Sequence, residues 1–137
     1  MTDTTLNKTI FLRATPAQVW AYLTDPEKLA IWFHKPKTAL TPGGYEMFGT
    51  ESGNKLMWGD VQVADPYTKL EYTFTIAPMG DAVSTVTWTL VEVPGGTRLS
   101  LEHAGLPQGE AAFDLTLALD KGWDDHLARM RASLHGA

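Results

Sequence analysis

The sequence predicts an α+β fold in which helices and strands are segregated along the chain rather than alternating. Two observations carry this. In the last stretch, Glu110 to Leu134, the apolar residues Leu115, Leu119, Trp123, Leu127, Met130 and Leu134 recur at steps of four, four, four, three and four, the spacing of one helix face. From Tyr45 to His103 the apolar period is instead two, interrupted by proline- and glycine-containing turns. A helix with so broad an apolar face needs a large partner, and strands supply it. The expected architecture is a long C-terminal helix lying across a curved antiparallel sheet of about six or seven strands, with a pocket between them and two short helices after the first strand.

Each element has its own reason. Leu6 to Arg13 alternates loosely and is partly β-branched, which predicts the first strand. Thr15 is placed to cap a helix with Pro16 at its first position, where the missing N–H costs nothing, and Val19, Trp20 and Leu23 make that helix amphipathic. Asp25-Pro26-Glu27 repeats the signature for a second short helix carrying Leu29, Trp32 and Phe33. The pair is expected to form a lid-like V rather than a crossover between parallel strands. After Pro36 and Pro42-Gly43-Gly44, a strand from Tyr45 leads to a hairpin loop at Glu51-Ser52-Gly53-Asn54. Leu56 to Ala64 is the next strand, stopped by Asp65-Pro66. Leu70, Tyr72, Phe74 and Ile76 alternate cleanly with polar neighbours, as do Val86, Trp88 and Leu90, then Leu99, Leu101 and His103. Thr85, Thr87 and Thr89 are expected on the outer, wet face of the sheet. Gly105 to Gly109 is a loop into the long helix.

The 137 residues predict one domain, spanning 1–137, large enough for a core of its own. A net charge of −5 without any Lys/Arg run argues against nucleic acid and against a polybasic membrane anchor. Absence of cysteine excludes disulfides, thiol catalysis and thiolate metal sites. No apolar run approaches the roughly 20 residues that span a bilayer. Met1 to Thr5 lacks the basic and apolar regions of a signal peptide, so a cytoplasmic location is expected. An edge strand is available for a homodimer contact.

Several stretches together resemble one family. Ala14-Thr15-Pro16-Ala17-Gln18-Val19-Trp20, with Leu23-Thr24-Asp25-Pro26 and Trp32-Phe33, resembles its opening motif. Gly59-Asp60-Val61, Asp65-Pro66 and Leu70-Glu71-Tyr72 resemble its centre, and Gly96-Thr97-Arg98-Leu99 and Gly122-Trp123 with Leu127 resemble its end. The chain is similar to the START/SRPBCC superfamily, the helix-grip fold shared with birch-pollen allergens. Within it, the chain looks like the domain related to the C-terminal half of the activator of the ninety-kilodalton heat-shock chaperone's ATPase. The resemblance covers nearly the whole chain. It implies a groove or cavity between sheet and long helix that often holds an apolar small molecule. Its motifs carry no shared catalytic residue. The chaperone activator has a further N-terminal domain, which 137 residues leave out, so the co-chaperone reading ranks below ligand binding.

Candidate cavity residues follow from the inward registers: Met47, Met57, Tyr72, Phe74, Trp88, Leu101 and His103 on strands, Phe113, Leu119 and Trp123 on or beside the long helix, and Trp32 and Phe33 on the lid. Aromatic residues in such places either line a pocket or simply fill the core. Among Leu56, Met57 and Trp58 the alternation is ambiguous, and Met57 is taken as inward with Gly59, Val61 and Val63. His103 is expected at a strand end, partly solvated, with acid–base chemistry as the alternative. His126 and His34 are expected to be exposed. Asp60, Glu102, Asp124 and Asp125 are read as solvated charge. No histidine spacing suits a metal, no glycine pattern cradles phosphate, and Ser84, Ser100 and Ser133 lack a nucleophile's context, so neither metal nor cofactor is expected. Gly122, inside the long helix, is expected to mark a close approach of strand backbone.

Three functions therefore compete. One is a module binding a small apolar or amphipathic molecule. The second is a cyclase- or aromatase-like enzyme using the same cavity, for which His103 with Tyr72 is the one pair to nominate. The third is an interaction domain acting on a chaperone. The first is favoured, because neither member of that pair has a visible activating partner.

Overall fold

A computed structural model describes residues 4–136; residues 1–3, and with them most of the polar N-terminus, lie outside the described residues, as does residue 137. Seven strands form one antiparallel sheet: β1 (Thr4–Leu12), β2 (Lys35–Pro36), β3 (Gly43–Phe48), β4 (Lys55–Asp65), β5 (Lys69–Phe74), β6 (Ser84–Val93) and β7 (Gly96–Leu106). Their spatial order is β1-β7-β6-β5-β4-β3-β2. Three helices accompany them: α1 (Pro16–Thr24), α2 (Pro26–Trp32) and the long α3 (Phe113–Leu134). This is the α+β helix-grip arrangement. Glu110–Ala112 forms a single 3₁₀ turn ahead of α3, so the helix proper starts three residues later than its polar flank suggests.

The two short helices form where their caps dictate. The Thr15 side chain accepts from the Gln18 backbone N–H at 3.2 Å while Gln18 Oε1 accepts from the Thr15 N–H at 2.8 Å, a reciprocal capping box. Asp25 Oδ1 accepts from the Glu27 N–H at 3.1 Å, so the one residue between α1 and α2 ends the first and caps the second. Because β1 pairs with β7 at one edge and β2 lies at the other, α1 and α2 carry the chain across the whole sheet. They are part of the core rather than a lid over it. Trp32 is 1% exposed, and its indole N–H donates to the Tyr22 carbonyl at 2.8 Å.

The inward registers follow the alternation except at Val63, expected inward: a bulge after Val61 pairs Val63 with Glu71 and sets Ala64 opposite buried Leu70 instead. Met47, Met57, Val61, Leu70, Tyr72, Phe74, Val86, Trp88, Leu99 and Leu101 are all buried in one core with Trp123, Leu127 and Met130 of α3. Trp58 is half-buried, which resolves the Met57–Trp58 ambiguity in favour of Met57. Strand β2 has no counterpart in the sequence pattern, since two residues, one of them proline, carry no periodicity.

From Asp120 onward α3 is fixed to the opposite edge. Lys8 Nζ on β1 sits 2.6 Å from Asp120 Oδ1 and 3.0 Å from Asp124 Oδ1. The Tyr22 and Ser133 hydroxyls lie 2.6 Å apart. The N-terminal half is covered far less: Leu115 and Leu119 are half-buried, and Leu117 is exposed. Phe113, expected to face inward, is 58% exposed. As the first residue of the helix it precedes the part that lies on the sheet, so no partner surface reaches it.

Candidate functional site: an apolar groove beside the helix

The interval between sheet and α3 is occupied by rings. Trp32 meets Trp88 edge-on at 5.9 Å, Trp88 meets Trp123 at 5.6 Å, and Phe74 lies 6.2 Å from Trp123. Open space begins where α3 loses this backing. A groove of about 270 Å³ runs beside α3 from Leu115 to His126, with Phe33 and His34 also lining it on one side and Phe74, Ile76 and Pro78 on the other. The helix contributes Leu115, Leu119, Gly122 and His126, at steps of four, three and four, with Trp123 at the inner end. A Cβ built on Gly122 meets nothing within 4 Å. The expected close approach of strand backbone at Gly122 is therefore absent, and the glycine instead borders the groove.

Of the residues expected to line a cavity, Phe33, Phe74, Leu119 and Trp123 line this groove. Trp32, Met47, Met57, Tyr72, Trp88, Leu101 and His103 are buried in the core and do not line it. Phe113 stands apart from both. A larger cleft of about 680 Å³ opens between the segment 36–46 and Trp58-Gly59. Its lining is mixed, with Lys37, Thr38, Thr41 and Glu46 beside Leu40, Tyr45 and Trp58, whereas the smaller groove is walled mainly by apolar and aromatic side chains.

His103 is fully buried rather than partly solvated, because β7 continues three residues beyond it. Both ring nitrogens are engaged. The Trp123 indole N–H donates to Nδ1 at 3.0 Å, which fixes the proton on Nε2. Nε2 then donates to Ser84 Oγ at 2.8 Å, and the Ser84 hydroxyl donates onward to the Phe74 carbonyl at 2.8 Å. Burial lowers the imidazole's pKa to about 4. The histidine is a neutral structural link joining β7, β6, β5 and α3, with no nitrogen left for a substrate. Tyr72 accepts from the Trp88 indole at 3.0 Å, and burial pushes its phenol up. His103 and Tyr72 thus belong to separate networks, and the nominated pair does not form.

Two other histidines, expected in solvent, line the groove instead. His34 and His126 are both half-buried and meet edge to face at 5.5 Å. Phe33 stacks on His34 at 4.4 Å and on Trp123 at 5.3 Å. Burial lowers the pKa of His34, helped by the Arg129 charge. His126 is lowered to about 4, again chiefly by burial. The signal was in the sequence: Gly122 and His126 extend the Leu115–Leu119 line by helical steps, one strip over from Trp123 and Leu127. Among the described residues, no three histidine or carboxylate side chains stand together as a metal site. Nor is any helix there long and apolar enough to cross a membrane.

Comparison with known proteins supports the fold throughout. The chain matches protein MLL2253 from Mesorhizobium loti at TM-score 0.85 and 23% identity, covering 98% of both chains. CalU16 from Micromonospora echinospora matches at TM-score 0.78 and 25% identity, over 98% of this chain and 76% of that one. The Aha1 dimer from Colwellia psychrerythraea matches at TM-score 0.77 and 16% identity, over 96% of this chain and 92% of that one. No curated sequence matches the chain. Residues 13–135 match the family described as Activator of Hsp90 ATPase homolog 1-like protein, a span from the end of β1 to the end of α3. Within the SRPBCC superfamily of helix-grip domains, the chain belongs to this family.

Proposed function

We propose that the domain binds a compact apolar or amphipathic small molecule in the groove beside α3. One observation carries the reading: aromatic and aliphatic walls converge on open space, and a glycine sits in mid-helix where nothing crowds it. Gly in a helix interior costs about 1 kcal/mol relative to Ala. Stability alone therefore favours alanine at position 122, whereas an open groove favours glycine. Binding rather than catalysis is supported by the saturated hydrogen bonds of His103, the residue otherwise best suited to acid–base work.

The test is native mass spectrometry of the freshly purified protein against the same sample denatured. We expect extra mass that disappears on denaturation, and its loss in a folded Leu119→Arg variant, which places a charge in the groove. A folded Leu119→Arg protein that keeps the adduct overturns the assignment.

A further inference from the structure

We propose that this groove takes a flat aromatic molecule bearing a hydroxyl group, which lies against Gly122 and Phe33 and donates its hydroxyl proton to His126 Nε2. The inference rests on the groove being the ligand site and adds the chemistry of its occupant.

Shape comes first. A groove of about 270 Å³ lies just under the roughly 300–1,000 Å³ of drug-sized pockets. It suits a fused two-ring skeleton better than a steroid or an acyl chain. Two ring geometries meet here: Phe33 stacks near-parallel with His34 and Trp123, at 27° and 24°, while His126 stands edge-on to Phe33, His34 and Trp123. A further flat ring adds to such a stack in offset geometry. The absent Cβ at Gly122 leaves helix backbone as the surface it rests on.

Polarity follows from the tautomer of His126. Its Nδ1 lies 2.9 Å from the Trp32 carbonyl and 2.6 Å from Arg129 Nη2, and one nitrogen cannot donate to the first while accepting from the second. Trp32 is the last residue of α2, so its carbonyl has no helical partner, and the residue is 1% exposed. Arg129 is exposed and hydrogen-bonds water freely. The buried carbonyl has the greater need, so the proton sits on Nδ1 and donates to Trp32. Nε2 is left as a bare acceptor on a groove-lining ring, without a protein partner among the described residues. A bare acceptor in an apolar groove selects a ligand that donates there.

The test compares 2-naphthol with 2-methoxynaphthalene, which has the same rings and no donor, by titration of ¹H–¹⁵N spectra. In the wild-type protein 2-naphthol is expected to bind roughly tenfold more tightly, the effect of one buried hydrogen bond. His126→Asn keeps a donor where Nδ1 stood and removes the acceptor, so the gap closes. His126→Gln restores an acceptor where Nε2 stood, so the gap returns. Equal affinities in the wild type, or a gap that survives in His126→Asn, overturn the hydroxyl while both probes still mark the groove. If neither probe shifts Gly122 or the Trp123 indole, the flat aromatic class is overturned. The native adduct and its loss in Leu119→Arg then decide separately whether the groove binds anything.

Discussion

At the scale of single residues, the buried chain Trp123–His103–Ser84–Phe74 has the most at stake, because each group in it satisfies the next. Ser84→Ala leaves the His103 Nε2–H without an acceptor and the Phe74 carbonyl without its side-chain donor. The expected loss is about 1–3 kcal/mol in urea unfolding, against near neutrality for an exposed serine. The same chain makes stability depend on pH. The His103 value falls from 6.5 to about 4 on folding, so as pH drops the unfolded chain takes up a proton first. This contribution is intact above 6.5, is lost progressively below it, and levels off near 4. The loss at about pH 5 is about 2 kcal/mol at most. His126 shifts the same way but is only partly buried, so its share is smaller. Unfolding at about pH 7 and pH 5, in wild type and His103→Gln, checks this; equal slopes in both would remove His103 as the cause. None of it was legible beforehand. The period of two put His103 on the inner face, but a strand's pattern does not say how far the strand continues, and an acceptor such as Ser84 nineteen residues away becomes visible only once β6 and β7 pair.

At the scale of elements, packing requires glycine at positions 59 and 96 but not at 122. A Cβ at Gly96 would collide with the Leu12 carbonyl, and one at Gly59 with the Thr73 carbonyl, both backbone atoms held in the sheet. Gly96→Ala is therefore expected to cost more than about 2 kcal/mol, well beyond any propensity effect. Gly122→Ala runs the other way. With nothing within 4 Å of the new methyl, it should stabilise the protein by about 1 kcal/mol, while a bulkier Gly122→Leu fills the groove and lowers affinity for an aromatic probe. A destabilised Gly122→Ala, measured by thermal or urea unfolding, would contradict the open groove. Helices and most strands were legible because caps and periodicities are local: Thr15-Pro16, Asp25-Pro26, and the four-four-four-three-four steps of α3. Strand β2 was not, and neither was the surface that Gly122 faces. A mid-helix glycine signals either crowding or vacancy, and only the packing around it distinguishes the two. Phe113 failed for a related reason, since apolar character at a helix start predicts burial only if the partner sheet extends that far.

At the scale of the whole molecule, the pairing of β1 with β7 brings Lys8 beneath α3 and so divides the helix into two unlike halves. From Asp120 onward it is held by the Lys8 ion pairs, by buried Trp123, Leu127 and Met130, and by the Tyr22–Ser133 contact. Before that point it rests on half-buried Leu115 and Leu119, which line the groove together with Gly122, Trp123 and His126 beyond it, and Phe113 and Leu117 lie in solvent. The mid-helix glycine stands where the two halves meet. Local opening costs least where the fewest apolar contacts are broken, so the first half should open without the rest of the domain. Amide hydrogen exchange is expected to show residues 115–121 exchanging through such partial opening, while residues 124–133 and the β6–β7 ladder exchange only on global unfolding. A molecule that fills the groove binds the closed form alone and must raise protection in the first half by the logarithm of its saturation, leaving the second half to follow global stability. Uniform protection along α3 would show that the helix moves as one body. In that case entry to the groove would depend on the turn around Ile76 and Pro78 opposite it, because the helix would no longer supply a movable wall.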